Sequence, residues 1–77
     1  MSRLKLINAR NMENLLLKIG FTKIRQKGSH TLYRHDDGRV TTVPFHPQKF
    51  LARPLIREIL NEIKLSIEEY NDLISTM

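Results

Sequence analysis

The chain has 77 residues, of which 40% are hydrophobic and none is cysteine. This length predicts one small domain over residues 1–77, and the absence of cysteine excludes disulfides, thiolate metal sites and cysteine nucleophiles. No apolar stretch is long enough for a membrane span or a secretory signal, so we expect a cytoplasmic protein with no membrane partner.

The formal net charge of +5 is unevenly distributed. Residues 1–20 carry four basic side chains and one acidic one, and residues 21–53 carry seven basic and two acidic. Residues 54–77 reverse the sign, with two basic and five acidic side chains. A basic middle and an acidic end favour a polyanionic partner bound by the middle. The alternative is a solvated surface that only keeps the protein in solution.

The first predicted element is a helix over about residues 9–19. Its apolar residues recur at the spacing of one buried helix face, and they are Met12, Leu15, Leu16 and Ile19. Asn8 stands at the N-cap, and Gly20 follows where a left-handed residue is needed to end the helix.

Residues 21–44 predict an antiparallel meander of three strands. The strands cover residues 21–27, 30–35 and 40–43. Gly28-Ser29 forms the first turn, residues 36–39 form the second, and Pro44 ends the last strand. In the middle strand the side chains alternate between two faces, with Leu32 and Arg34 on one face and Thr31 and Tyr33 on the other.

A loop over residues 45–52 leads to a second helix over 54–63, with Pro54 in its first turn. The capping box formed by Ser66 to Glu69 then begins a third helix over 67–75. The order α-β-β-β-α-α predicts an α+β fold in which helices cover one face of the sheet and leave the other to solvent or a ligand. The aromatic residues, most of which we expect in the core, are Phe21, Tyr33, Phe45, Phe50 and Tyr70.

The chemistry that the residues favour is centred on His30, because histidine exchanges protons near neutral pH. Arg25, Lys27 and Arg34 supply positive charge on the adjoining strands. A proton-transfer group beside cations that hold a phosphate is the minimum equipment for cleaving RNA. The RNA supplies its own nucleophile, the 2′-OH, so the reaction yields a 2′,3′-cyclic phosphate without a metal or a covalent intermediate.

The turn before His30 fits the same hypothesis. Gly28 leaves room for an RNA backbone to approach closely, and the Ser29 hydroxyl offers a hydrogen bond to a phosphate oxygen. The alternative is that Gly28-Ser29-His30 is only a hairpin turn. A metal site formed by His30, His35 and His46 is also conceivable, although the three lie on different elements and no carboxylate stands at ligand spacing.

Several segments, in order, resemble the HicA family of mRNA-cleaving toxins. Arg25-Gln26-Lys27-Gly28-Ser29-His30 is similar to the family's Arg-Gln-x-Gly-Ser-His signature, and Val43-Pro44-Phe45-His46 is similar to its Val-Pro-x-His. The resemblance covers roughly residues 12–70. Family members often carry a Pro-Gly-Thr-like start to the second helix and a Gly before Leu-Ser, where this chain has Arg53-Pro54-Leu55 and Lys64.

The resemblance implies a fold like that of a double-stranded-RNA-binding domain, ribonuclease activity toward mRNA and a HicB-like antitoxin partner. It also implies that His30 is the catalytic residue. We therefore expect a metal-independent endoribonuclease toxin without cofactors. His30 acts as general acid or base, and the RNA-binding residues are Arg25, Lys27, Gly28, Ser29 and Arg34.

Two other functions remain open at this point. One is a non-catalytic RNA-binding module that uses the same basic face, and the other is an interaction protein that docks only to an acidic chain. A single histidine does not obviously perform both proton transfers of RNA cleavage, and His46 is one candidate for a second group.

Overall fold

The computed structural model describes residues 3–46 and 49–77, and it has an α+β fold. The elements are α1 (Ala9–Lys18), β1 (Thr22–Lys27), β2 (His30–Arg34), β3 (Val40–Pro44), α2 (Arg53–Ile63) and α3 (Ile67–Ser75). This order confirms the prediction and is consistent with a fold like that of a double-stranded-RNA-binding domain. Within the described residues, no helix has the length and apolar character needed to cross a membrane.

Helix α1 begins and ends close to where its sequence predicts. The Asn8 side chain accepts a hydrogen bond from the Asn11 backbone N–H at 2.9 Å, which is the expected N-cap contact. Gly20 has a φ of 100°, which glycine adopts with little strain, and the chain turns there into β1. Of the predicted apolar face, Met12, Leu15 and Leu16 are fully buried and Ile19 is partly buried against the core.

The three strands form an antiparallel sheet in the order β1-β2-β3, as the meander predicted. Thr31 and Tyr33 of β2 are buried beneath the helices, whereas His30, Leu32 and Arg34 point to the opposite face. This alternation confirms the two faces expected for the middle strand. The face that carries His30, Leu32 and Arg34 is called the open face below.

A polar contact fixes α1 to the covered face of the sheet. The Tyr33 hydroxyl donates a hydrogen bond to a Glu13 carboxylate oxygen at 2.5 Å, and Lys23 pairs with the same carboxylate at 3.6 Å. Burial, together with the neighbouring Glu13 carboxylate, raises the pKa of Tyr33 well above its usual range. The phenol therefore remains a hydrogen-bond donor at neutral pH and holds the helix against β2.

Helix α2 spans nearly the same residues as the second predicted helix, which is thereby confirmed, and Pro54 lies in its first turn. Its end is unusual, because Lys64 adopts a left-handed conformation with a φ of 57°. Lys64 stands where members of the family that the sequence resembles often carry a glycine. Lysine therefore holds a backbone conformation that favours glycine, and the helix still ends there.

The capping box of α3 is present as predicted. The Ser66 hydroxyl accepts from the Glu69 backbone N–H at 3.0 Å, and the Glu69 carboxylate accepts from the Ser66 backbone N–H at 2.9 Å. The backbone N–H of Ser66 lowers the pKa of Glu69. Tyr70 then buries its ring and donates its hydroxyl to the carbonyl of Lys5 at 2.5 Å, which ties α3 to the amino-terminal segment.

Most of the five aromatic residues lie in or against the core, as expected, and Phe50 is the exception. Phe50 is 68% exposed, because residues 49–51 run along the amino-terminal segment rather than under the helices. Phe50 forms an isolated bridge with Asn8, and the Leu51 N–H donates to the Ile7 carbonyl at 2.8 Å. This pairing turns Leu51 into the core in place of Phe50. The predicted loop over 45–52 also includes residues 47–48, which lie outside the described residues.

Arg39 joins the second turn of the sheet to the end of α2. Its guanidinium donates to the Ile63 carbonyl, pairs with Asp37 at 2.8 Å and lies 5.2 Å from the centre of the Phe21 ring. The guanidinium also lowers the pKa of Asp37. Arg39 thereby satisfies a carbonyl in the last turn of α2 that has no partner within the helix.

Candidate nucleic-acid interface and active site

His30 is the first residue of β2, directly after the turn Gly28-Ser29. Gly28 has a φ of 60°, so the turn requires glycine at its first central position. The tight turn sets His30 opposite Lys27 of β1, and on its other side His30 pairs with Pro44 of β3. Residues directly opposite each other in a sheet share a face, so the Lys27 ammonium and the His30 imidazole are neighbours on the open face.

The next row of the open face adds a second cation. Arg25 pairs with Leu32, and Leu32 pairs with Thr42. A shallow cavity of about 200 Å³ brings three of the predicted site residues together, and its lining is Arg25, Lys27, His30, Leu32 and Thr42. The lining holds two cations and no carboxylate, so it suits a phosphate group next to the imidazole.

Arg34 lies on the same face but not in this cavity. It pairs with Thr22 and Val40 at the far end of β2, four residues from His30. Four residues of strand span roughly 13 Å, so the backbone of Arg34 is well separated from that of His30. Arg34 therefore extends the positive face beyond the lining of this cavity.

The turn residues Gly28 and Ser29 are not part of the cavity lining that contains the cations. A side chain added at Gly28 would meet no atom within 4 Å, so the outer side of the turn is open space. Ser29 is half-buried, and its backbone carbonyl accepts from the Phe45 N–H at 2.5 Å, which fixes the turn against the end of β3. Within residues 3–46 and 49–77, the Ser29 hydroxyl makes no side-chain hydrogen bond.

A second groove, of about 230 Å³, adjoins His30 on the side of α2. Its lining combines strand residues with one side of the helix, and it consists of His30, Thr42, Pro44, Leu55, Glu58, Ile59 and Glu62. Sequence reasoning missed the two carboxylates at this groove. The available signal was their spacing, because Glu58 and Glu62 are four residues apart and so share one side of a helix.

Residues 9–65 match the family model described as the HicA toxin of bacterial toxin–antitoxin systems. The chain belongs to the HicA toxin family. The match runs from the first residue of α1 to just past α2, so it includes the whole sheet and both cavities of this HicA toxin. No curated protein sequence matches the chain significantly.

Membership identifies the protein as the toxin of a toxin–antitoxin pair and implies an antitoxin partner. The matched region of this HicA toxin contains every residue for which sequence analysis predicted a role in catalysis or RNA binding. Helix α3 lies beyond the match. The tie between Tyr70 and Lys5 therefore joins two segments that the family model does not cover.

The other two histidines of this HicA toxin lie apart from the open-face cavity. His35 follows the far end of β2, packs edge-on against Phe21 at 5.2 Å and accepts the Asp37 N–H on Nδ1 at 3.1 Å. His46 is exposed and follows β3. Across the described ranges, no three His, Asp, Glu or Cys side chains are grouped to hold a metal, so the conceivable three-histidine site is not assembled.

Proposed function

We propose that this HicA toxin is a metal-independent endoribonuclease that cleaves mRNA in the cytoplasm, with His30 transferring protons at the scissile phosphate. The observation that carries the proposal is the cavity shared by His30, Lys27 and Arg25. It sets an imidazole beside two cations on an exposed sheet face, which is the arrangement that phosphodiester cleavage needs. Membership of a toxin family supports the same conclusion.

The proposed reaction uses the RNA's own 2′-OH as nucleophile. The 2′-oxygen forms a bond to phosphorus while the bond from phosphorus to the 5′-oxygen breaks. One proton leaves the 2′-OH and one is delivered to the departing 5′-oxygen. The products carry a 2′,3′-cyclic phosphate and a 5′-OH, and His30 performs at least one of the two transfers.

The cations have separate roles in this proposal. Lys27 and Arg25 hold the scissile phosphate beside His30 and offset the charge that develops on its oxygens. The Ser29 hydroxyl donates to a phosphate oxygen, and the open space outside Gly28 admits the RNA backbone. Arg34 binds a neighbouring phosphate further along the strand, where its charge adds affinity without acting on the reacting atoms.

The partner in this proposal is a HicB-like antitoxin that silences the toxin by covering the open face. The positive charge of that face attracts an acidic partner. The competing location is the acidic end of the chain, around Glu62, Glu68 and Glu69. Hydrogen exchange on the complex distinguishes them: protection of residues 25–35 supports occlusion, and protection confined to residues 58–77 with cleavage still blocked contradicts it.

The test of the enzymatic proposal is cleavage of RNA by the wild type and by His30→Ala. His30 is exposed at the edge of a turn, so the variant should fold normally and lose cleavage. RNA affinity without cleavage in the wild type would instead favour the non-catalytic RNA-binding module. If the wild type neither binds nor cleaves RNA, the result would favour a protein that docks only to an acidic partner.

A further inference from the structure

His30 lies at the boundary between two chemically different cavities. On one side is the cavity that contains Arg25 and Lys27, and on the other is the groove bounded by α2. The first is lined by cations, whereas the second contains the carboxylates of Glu58 and Glu62. The imidazole is thus the only titratable side chain common to both linings.

The two carboxylates of the groove are not equivalent. Glu62 accepts a hydrogen bond from the buried Thr41 hydroxyl at 2.7 Å, so it helps to hold α2 beside β3. Glu58 is exposed, and among residues 3–46 and 49–77 it has no hydrogen-bond or ion-pair partner. An ionised carboxylate is only an acceptor; one oxygen of Glu62 is already engaged by Thr41, whereas both oxygens of Glu58 are without a partner among the described residues.

Cleavage through the 2′-OH needs a base at one side of the phosphorus and an acid at the other, because the attacking and leaving oxygens lie opposite each other. We propose that Glu58 is the general base that takes the 2′-OH proton and that His30, in its protonated form, is the general acid for the 5′-oxygen. This inference rests on the proposed ribonuclease function. It supplies the second proton-transfer group that one histidine lacks.

The two cavities suit the two parts of the substrate. The phosphate lies against Arg25 and Lys27, and the ribose with its 2′-OH extends into the groove toward α2. A groove of about 230 Å³ is smaller than the sites that enclose drug-sized ligands, so it fits one sugar rather than a buried oligonucleotide. The carboxylate then faces a hydroxyl and not the phosphate charge.

The proton balance closes in this scheme. Glu58 gains the proton that the 2′-OH loses as the new bond to phosphorus forms. His30 loses a proton to the 5′-oxygen as the old bond breaks. Exchange with water then returns both side chains to their starting states. His46, the candidate from sequence alone, is not part of the lining of either cavity.

The first experiment compares Glu58→Gln with Glu68→Gln. Both remove one negative charge from an exposed helical position, but Glu68 lies on α3, outside the groove. Glu58→Gln should lower the cleavage rate roughly 10²- to 10⁴-fold, the usual contribution of a general acid or base. It should also abolish the part of the pH profile in which the rate rises with pH. Glu68→Gln should retain both.

The second experiment assigns the roles by substrate chemistry. An RNA with sulfur in place of the bridging 5′-oxygen has a leaving group that departs without protonation. His30→Ala should therefore recover most of its lost rate on this substrate, whereas Glu58→Gln should not. The assignment is overturned if His30→Ala does not recover its cleavage rate on this substrate, or if Glu58→Gln does.

The outcomes also separate this inference from the proposed function. If the wild type cleaves RNA and Glu58→Gln matches Glu68→Gln in rate and pH profile, only the role of Glu58 is refuted. A changed nucleotide preference with an intact pH profile would refute it too, since Glu58 would then contact a base. If the wild type cleaves no RNA, the ribonuclease proposal itself fails.

Discussion

Replacing Lys64 by glycine should stabilise this toxin. Lys64 has a φ of 57° at the end of α2, and a left-handed conformation costs a residue with a side chain about 1–2 kcal/mol. Glycine avoids that strain but makes the unfolded chain more flexible, which costs roughly 0.5–1 kcal/mol. The difference predicts a gain of about 0.5–1 kcal/mol, because the exposed Lys64 side chain contributes little packing.

The measurement is the free energy of unfolding from urea titration, with Lys64→Ala as the matched control. Alanine removes the lysine side chain but keeps the backbone strain, so its free energy of unfolding should stay close to that of the wild type. A gain of 1 kcal/mol would raise the Tm of a domain this size by about 4–8 °C. A glycine variant no more stable than the alanine variant would refute the reasoning.

Three further outcomes are expected. Arg39→Ala should lower the free energy of unfolding, measured by urea titration, by about 1–3 kcal/mol, because the variant lacks the donor to the Ile63 carbonyl and the contact with Phe21. The control Arg57→Ala should change the free energy of unfolding by less than about 0.5 kcal/mol. Burial raises the pKa of Tyr70 from 10.0 to about 12, so Tyr70 ionises at lower pH in the unfolded chain than in the folded one. The free energy of unfolding should therefore fall between pH 10 and 12. Tyr70→Phe should reduce that fall in base-denaturation curves, and an equal fall in both proteins would contradict the prediction. Lys27→Glu should lower the slope of log affinity for RNA against log salt by about 1 or more, whereas Lys18→Glu on α1 should leave it unchanged. Equal slopes for the two variants would move the RNA site away from the open face.

The features of the fold that the sequence predicts best depend on residues that lie close together along the chain. The N-cap at Asn8 and the capping box from Ser66 to Glu69 are recognisable because the residues that satisfy the backbone lie within one helical turn. The two faces of β2 follow from the alternation of side chains along a strand. Local patterns therefore predicted all six elements and the two faces of the sheet.

The missed features depend on contacts between distant segments. The sequence alone indicates only that Glu58 is a solvent-exposed residue of a helix. Its position near His30 follows from the packing of α2 beside β3. Phe50 is apolar, but the pairing of its segment with the amino-terminal residues decides that Leu51 is buried instead. Lys64 has no preference for the left-handed conformation, so its φ follows from the turn between α2 and α3 rather than from its own side chain.

The central claim is that His30 cleaves RNA through the 2′-OH without a metal. The most direct measurement is cleavage of a defined RNA in excess EDTA by the wild type and His30→Ala, with analysis of the product ends. The wild type should cleave and leave 2′,3′-cyclic phosphate and 5′-OH ends, and His30→Ala should leave the RNA intact. Cleavage that stops in EDTA, product ends with a 5′-phosphate, or undiminished cleavage by His30→Ala would contradict the account.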